Sequence, residues 1–166
     1  MLEHKFKITL PYTMLPGPLG GILSNMAVSD GSVYVATLDV PVIATTLKTA
    51  DGNESGGLES GEIEALSLAT GKVEWDTKVP SLPTGATTVS RDLVLTTNYQ
   101  GDLFALDRAT GAIVYTLKLP TTTNAPIAVF GNTILVPAGG PGTAIARAPQ
   151  LIAYTLNDAG RGLRSG

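Results

Sequence analysis

Residues 61–80 read GEIEALSLATGKVEWDTKVP, and residues 101–120 read GDLFALDRATGAIVYTLKLP. The two stretches align at an offset of 40 without a gap, and Gly, Ala, Leu, Ala, Thr, Gly, Lys and Pro are identical at eight of the twenty positions. The replacements keep their character: Ile63 for Leu103, Val73 for Ile113, Trp75 for Tyr115 and Val79 for Leu119. A repeat of this period is the first thing to settle, because it decides the architecture. Ile63-Glu64-Ala65-Leu66 predicts a short strand, and Ala69-Thr70-Gly71 a tight turn in which glycine supplies the backbone freedom for the reversal. Val73, Trp75, Thr77 and Val79 then alternate along a second strand. The second copy repeats the pattern with Ile113, Tyr115, Leu117 and Leu119.

Working outward, each copy is preceded by a further hairpin. Ala27-Val28-Ser29 and Val33-Tyr34-Val35 flank Asp30-Gly31, and Thr88-Val89-Ser90 and Leu93-Val94-Leu95 flank Arg91-Asp92. A third hairpin, Ala128-Val129-Phe130 and Ile134-Leu135-Val136, turns at Gly131-Asn132. Short polar or glycine turns between β-rich runs are hairpin signals. The unit is therefore four strands in roughly 40 residues, the spacing of a propeller blade. The expected fold is all-β, a partial β-propeller of about three four-stranded blades. The blades are expected at about residues 22–79, 86–119 and 125–156 within a propeller segment spanning 1–160.

The ends follow from the same alignment. Phe6, Trp75 and Tyr115 each stand five residues before a proline, so residues 4–10 are expected to form a lone outer strand. Leu151-Ile152-Ala153-Tyr154 reads as a third strand, and 161–166 as a flexible tail with no fourth strand. On this reading the ring needs its remaining blades or a second protomer. Three blades would leave sheet faces exposed, and four is about the smallest usual closure.

Composition agrees and limits the function classes. With 43% hydrophobic and 15% charged residues, the chain suits buried sheets rather than disorder. A net charge of -3 gives no electrostatic footprint for nucleic acid. No apolar run reaches the ~18 residues that span a bilayer. The absence of cysteine removes disulfides and thiolate metal sites, and the single histidine, His4, removes multi-histidine centres. No metal ligand set is assigned: Asp51, Asn53 and Glu54 beside Gly52 lack the spacing and number of a Ca2+ loop. Gly139-Gly140-Pro141-Gly142 has no lysine and no following helix, so it is no phosphate cradle.

The residues Ala65, Gly71 and Trp75, and Ala105, Asp107, Gly111 and Tyr115 in the next copy, resemble the tryptophan-docking motif of PQQ-type (pyrroloquinoline quinone-type) propeller repeats. In that superfamily the aromatic packs between adjacent blades. Residues 80–156 are most similar to the C-terminal region of quinoprotein alcohol dehydrogenases. The shared order is Thr97-Asn98-Tyr99-Gln100-Gly101, Asn124-Ala125-Pro126, Ala138 to Gly142 and Ile152-Ala153-Tyr154-Thr155-Leu156. The resemblance implies PQQ with Ca2+ in the complete propeller, oxidation of an alcohol or sugar, and a periplasmic or extracellular location. The alternative within the superfamily is a non-catalytic scaffold for protein–protein interaction, as in outer-membrane assembly lipoproteins. Those dehydrogenases often carry a Trp-Gly-Gly stretch where this chain has Leu82-Pro83-Thr84-Gly85, and their Ca2+ ligands and catalytic Asp lie on other blades. No catalytic residue carries over, and activity of this chain alone is not expected.

If the strands run as expected, the short turns lie on one face and the long, irregular connections, residues 11–21, 39–60, 80–85, 120–124 and 138–150, on the other. Elaborated loops on a rigid scaffold are where binding usually resides. Asn98, Gln100 and Asn124 fall on that face, and Asn98 and Asn124 are the candidate cofactor-binding residues. Trp75 could stack on a flat ligand, but its motif position favours packing between blades.

Overall fold

The computed structural model describes residues 9–46, 59–139, 148–156 and 163–165. In chain order the strands are β1 (Tyr12–Met14), β2 (Ala27–Ser29), β3 (Ser32–Asp39), β4 (Val42–Ala44), β5 (Ser60–Ser67) and β6 (Val73–Pro80). They continue as β7 (Thr88–Ser90), β8 (Leu93–Thr97), β9 (Asp102–Asp107), β10 (Ile113–Lys118), β11 (Ala128–Phe130), β12 (Thr133–Ala138), β13 (Gln150–Leu156) and β14 (Leu163–Ser165). Three antiparallel four-stranded sheets result: β2-β3-β5-β6, β7-β8-β9-β10 and β11-β12-β13-β14. Each is a blade, and the architecture is all-β with open sheets.

Period-two alternation gives every blade two faces. The face toward the next blade in chain order is here called the forward face, and the other the rear face. Tyr34, Ala36, Ile63, Ala65 and Val79 on the forward face of the first blade pack with Val94, Phe104 and Leu106 on the rear face of the second. Leu95, Leu103 and Ala105 on the second blade's forward face pack with Ile134, Val136 and Tyr154 of the third, joined by Leu119 and Ile127. The core is thus two parallel slabs between sheets, and burying them is the main source of stability.

Between the blades, polar side chains tie the start of each innermost strand to its neighbour. The Thr87 hydroxyl accepts from Ala27 N–H at 3.0 Å and donates to the Tyr34 carbonyl at 2.8 Å. One blade further on, the Thr88 hydroxyl donates to the Ile127 carbonyl at 2.8 Å.

The structure departs from the sequence expectation in four places. The segments around 11–21 and 39–60, read as irregular connections, contribute β1 and β4, which pair with Tyr12 opposite Ala44 and Met14 opposite Val42. Local backbone chemistry makes this possible: Val40 N–H donates to the Pro16 carbonyl at 2.8 Å, and Gly17 lies so close to Val40 that a Cβ there would sit 1.9 Å from its carbonyl oxygen. Second, the β8–β9 connection, Asn98–Gly101, belongs to the loop-bearing face but is a tight turn, closed by Gly101 N–H on the Asn98 carbonyl at 3.1 Å. Third, Leu163–Ser165, within the expected tail, pair with β13 as a short fourth strand. Fourth, Thr9 and Leu10 belong to no strand, and the rest of the expected outer strand 4–10 lies outside the described residues.

Candidate functional site

Hairpin registers place the three blades in common alignment, with Ser29 opposite Ser32, Ser90 opposite Leu93 and Phe130 opposite Thr133. Counting back from these turns, Leu23, Thr84 and Asn124 are equivalent positions, as are Asn25, Ala86 and Pro126. All six line one cleft of about 340 Å³, together with Ser24 and the end of β3 at Leu38. Each blade therefore offers the same two positions to one shared space, on the loop-bearing face. Segments before the innermost strands converge there because the blades repeat the same geometry around a common axis.

The lining is neutral. Its polar groups are the carboxamides of Asn25 and Asn124 and the hydroxyls of Ser24 and Thr84. Thr84 donates to the Thr123 carbonyl at 2.9 Å and so bridges the second and third blades. Among the described residues, the buried Ser24 hydroxyl has no hydrogen-bond partner. Such a group is costly to leave unmatched, which makes it a ready donor or acceptor for an occupant of the cleft. Asn124 also lines a smaller hollow of about 140 Å³ with Pro137, Gly139 and Gln150. It is exposed and stands where the two hollows meet.

Asn98 is placed differently. It is fully buried, its Nδ2 donating to the Pro80 carbonyl and to Asp102 Oδ2, each at 2.9 Å, and its Oδ1 accepting from Asp102 N–H at 2.8 Å. Both ends of its carboxamide are used within its own turn. Burial pushes the Asp102 carboxyl up, but hydrogen bonds from Lys118 and Asn98 and the lysine's charge outweigh it, leaving the group below its ordinary value. The structure does not bring Asn98 and Asn124 together on one ligand-sized surface. Gln100 is exposed, and its carbonyl accepts from Lys118 Nζ at 3.0 Å.

The motif residues lie on the opposite, short-turn face. The Trp75 indole N–H donates to the Arg108 carbonyl at 2.9 Å, and Thr77 donates to the Gly111 carbonyl at 2.7 Å, so both side chains of β6 reach the next blade's turn. Ala65 lies opposite Trp75, and the Tyr34 ring centroid is 5.9 Å from that of Trp75. Gly71 and Gly111 hold φ of 69° and 74° at matching turn positions. The Asp107 carboxylate caps its turn, accepting from Thr110 Oγ1 at 2.8 Å and from Thr110 N–H at 2.9 Å; these bonds hold its carboxyl below the usual value. Tyr115, opposite Ala105, is the second copy of Trp75; the third-blade turn it would meet lies outside the described residues. The Asp51–Glu54 group and Gly140 to Gly142 also lie outside them, as does His4.

Sequence reasoning missed Ser24, Asn25 and Thr84. A signal was available: they occupy the positions equivalent to Asn124 and its neighbours once the three hairpins are aligned. It also missed an acidic group on the first blade's rear face, where carboxylate oxygens of Glu62, Glu64 and Asp76 lie within 4.8 Å of one another. Lys78 stands 3.5 Å from Glu62, and the Thr37 hydroxyl donates to Glu64 at 3.1 Å.

Three stacked blades, the first two joined by Trp75 lying across the Gly111 turn, with converging loops on the far side, define an arc of a PQQ-type β-propeller. Residues 59–160 match the PQQ_2 family, described as outer membrane protein assembly factor BamB, and the chain belongs to that family. No curated protein matches the sequence. Among solved structures, quinohemoprotein alcohol dehydrogenase from Comamonas testosteroni is similar at a TM-score of 0.62 and 21% identity, over 78% of this chain and 24% of that one. A europium-containing methanol dehydrogenase is similar at a TM-score of 0.61 and 16% identity, over 95% of this chain and 27% of that one. BamB from Moraxella catarrhalis is similar at a TM-score of 0.50 and 20% identity, over 70% of this chain and 30% of that one. The chain spans between 24% and 30% of the length of these proteins. At such identities the likeness speaks for the fold, which is related both to quinoprotein dehydrogenases and to BamB. Among the described residues no helix is long and apolar enough to cross a membrane.

Proposed function

We propose that this arc is the C-terminal part of a quinoprotein dehydrogenase-like propeller and forms a binding wall for a neutral polar ligand, the alcohol or sugar that the full protein oxidises. The observation that carries the reading is the cleft shared by three blades, whose polar lining consists only of carboxamides and hydroxyls. Such groups exchange hydrogen bonds with alcohol hydroxyls without the desolvation cost that a buried charge incurs. The resemblance also implies PQQ and Ca2+. PQQ is a tricarboxylate and Ca2+ takes oxygen ligands that commonly include carboxylates. The cleft lining has neither a cation for the one nor a carboxylate for the other, so these residues do not fit that pair. An extracytoplasmic location is part of the same reading.

A second reading rests on a separate observation. Leu23 and Met26 are exposed beside the cleft, and Leu15, Leu19 and Ile22 are exposed on the preceding loop. Apolar residues rimming a neutral cleft suit an extended apolar peptide, which favours a protein-binding scaffold.

Amide resonances of Ser24, Asn25, Thr84 and Asn124, followed during titration with short alcohols and sugars, test the first reading. Saturable shifts at these residues support it. No shift with any member of the panel, and shifts with an apolar peptide instead, would replace it with the second. PQQ with Ca2+ is expected to leave these resonances and the quinone absorbance unchanged.

A further inference from the structure

The two equivalent rows that line the axial cleft are chemically complementary. The first row carries Leu23, Thr84 and Asn124, and the second, two residues further along each blade, carries Asn25, Ala86 and Pro126. In every blade, where one row is apolar the other is polar. The polar groups therefore run diagonally across the cleft. They start at Asn25 in the second row of the first blade, pass Thr84 in the first row of the second, and end at Asn124 in the first row of the third. The two carboxamides stand on different blades and in different rows, so a ligand that touches both must cross the cleft. Leu23, Ala86 and Pro126 fill the alternate positions with carbon surface.

These groups differ in what they can exchange. The Thr84 hydroxyl spends its one proton on the Thr123 carbonyl at 2.9 Å, so toward a ligand its oxygen can only accept. Each carboxamide both donates and accepts. A monohydric alcohol brings one hydroxyl, which serves one blade and turns hydrocarbon toward the polar groups of the other two, at the cost of leaving them unmatched. A compound with several hydroxyls around a small carbon skeleton meets all three. One hydroxyl donates to Thr84, others exchange hydrogen bonds with Asn25 and Asn124, and the C–H surfaces between them rest on Leu23, Ala86 and Pro126. Size agrees: about 340 Å³ falls at the lower end of the roughly 300–1,000 Å³ typical of small-molecule sites. Among the described lining residues none is charged, which suits a neutral polyol over a sugar acid or sugar phosphate.

We propose that the cleft selects a neutral polyhydroxylated ligand of monosaccharide size over monohydric alcohols, by three-point recognition through Asn25, Thr84 and Asn124, one from each blade. The proposal rests on the reading of the cleft as a ligand wall and narrows it. Three probes titrated into the full chain separate number of hydroxyls from size: glucose, cyclohexanol with a ring of similar size and one hydroxyl, and ethanol. Glucose is expected to shift the amide resonances of Asn25, Thr84 and Asn124 together and to saturate at a concentration about ten-fold lower than cyclohexanol or ethanol, the effect of more than one added neutral hydrogen bond. Asn25→Ala and Asn124→Ala should each weaken glucose several-fold and leave cyclohexanol unchanged. Both side chains are exposed, and unchanged melting of the two variants separates lost recognition from lost folding. Cyclohexanol or ethanol binding as tightly as glucose, or glucose shifts confined to one blade, would overturn the three-point selection while leaving the ligand wall standing. Absence of saturable shifts with all three probes would remove the wall and the selection together.

Discussion

The ring of Trp75 rests directly on Gly111 of the following blade: a Cβ built at Gly111 would lie 2.5 Å from Trp75 Cε3. The indole N–H then reaches the Arg108 carbonyl at 2.9 Å, so one aromatic closes over one turn and hydrogen-bonds to it. Gly71 occupies the same turn position one blade earlier with nearly the same φ, yet among the described residues a Cβ there would meet nothing within 4 Å. The pair separates two reasons for a glycine. Gly71→Ala should cost about 1 kcal/mol, the conformational penalty of positive φ. Gly111→Ala should cost roughly 2–4 kcal/mol, since overpacking against the indole adds to that penalty. Urea denaturation of both variants measures the difference; equal losses would mean the Trp–Gly contact contributes nothing.

A second contact crosses the same seam through one hydroxyl. Thr87 accepts from Ala27 N–H and donates to the Tyr34 carbonyl, and it is buried. Thr87→Val keeps the shape but leaves a backbone donor unmatched between blades, at a cost of about 1–3 kcal/mol. Thr87→Ser keeps both hydrogen bonds and should cost less. Hydrogen exchange at Ala27 offers the local readout, with faster exchange expected only in the valine variant.

Acid should loosen these turns. Hydrogen bonding from Arg108, with its charge, holds the Asp30 carboxyl below its ordinary value of 3.8; Thr110 does the same for Asp107, and Lys118 with Asn98 for Asp102 against the opposing effect of burial. A carboxyl with a lowered folded value stabilises the protein above its unfolded value and loses that contribution as pH falls through the folded one. Thermal unfolding should therefore be flat from neutral pH down to about 5 and fall progressively below about 4. The Asp102→Asn chain should start lower and show a shallower acid limb, and identical acid limbs would rule out a contribution from Asp102.

The blades were legible because repetition supplies its own control. Trp75 and Tyr115 stand 40 residues apart in matching surroundings, and a strand pattern that recurs in register is hard to mistake. Chain segments outside the repeat were not legible in the same way. β1 and β4 form because Gly17 tolerates the close approach of Val40, a tertiary fact with no periodic trace in Tyr12–Met14. β14 is three residues long and gains its pairing from β13 rather than from its own pattern. The cleft was half legible: Asn124 stood out beside Ala125-Pro126, while Ser24 and Thr84 became comparable to it only after the hairpin turns were superposed. Glu64 shows the opposite case, since its departure from Phe104 is visible in the aligned repeat and gains meaning only when the two faces of a blade are told apart.

Asn98 and Asn124 share a residue type and a loop-bearing face, but Asn98 is buried in its own turn while Asn124 is exposed on the cleft. Asn98→Ala removes two donations and one acceptance inside a buried turn, breaking its bonds to the Pro80 carbonyl, Asp102 Oδ2 and Asp102 N–H. A loss of roughly 2–4 kcal/mol is expected, with a melting shift and no selective effect on the cleft. Asn124→Ala touches an exposed side chain and should change stability by no more than about 0.5 kcal/mol. If the cleft takes an alcohol or sugar, Asn124→Ala should weaken the titration several-fold, by the loss of about one neutral hydrogen bond, and leave the Gly111 seam untouched. The two variants thus move in opposite columns, one in stability and one in binding. A melting shift for Asn124→Ala comparable to that of Asn98→Ala would show that Asn124 also serves the scaffold, and the binding wall would then rest on Ser24, Asn25 and Thr84 alone.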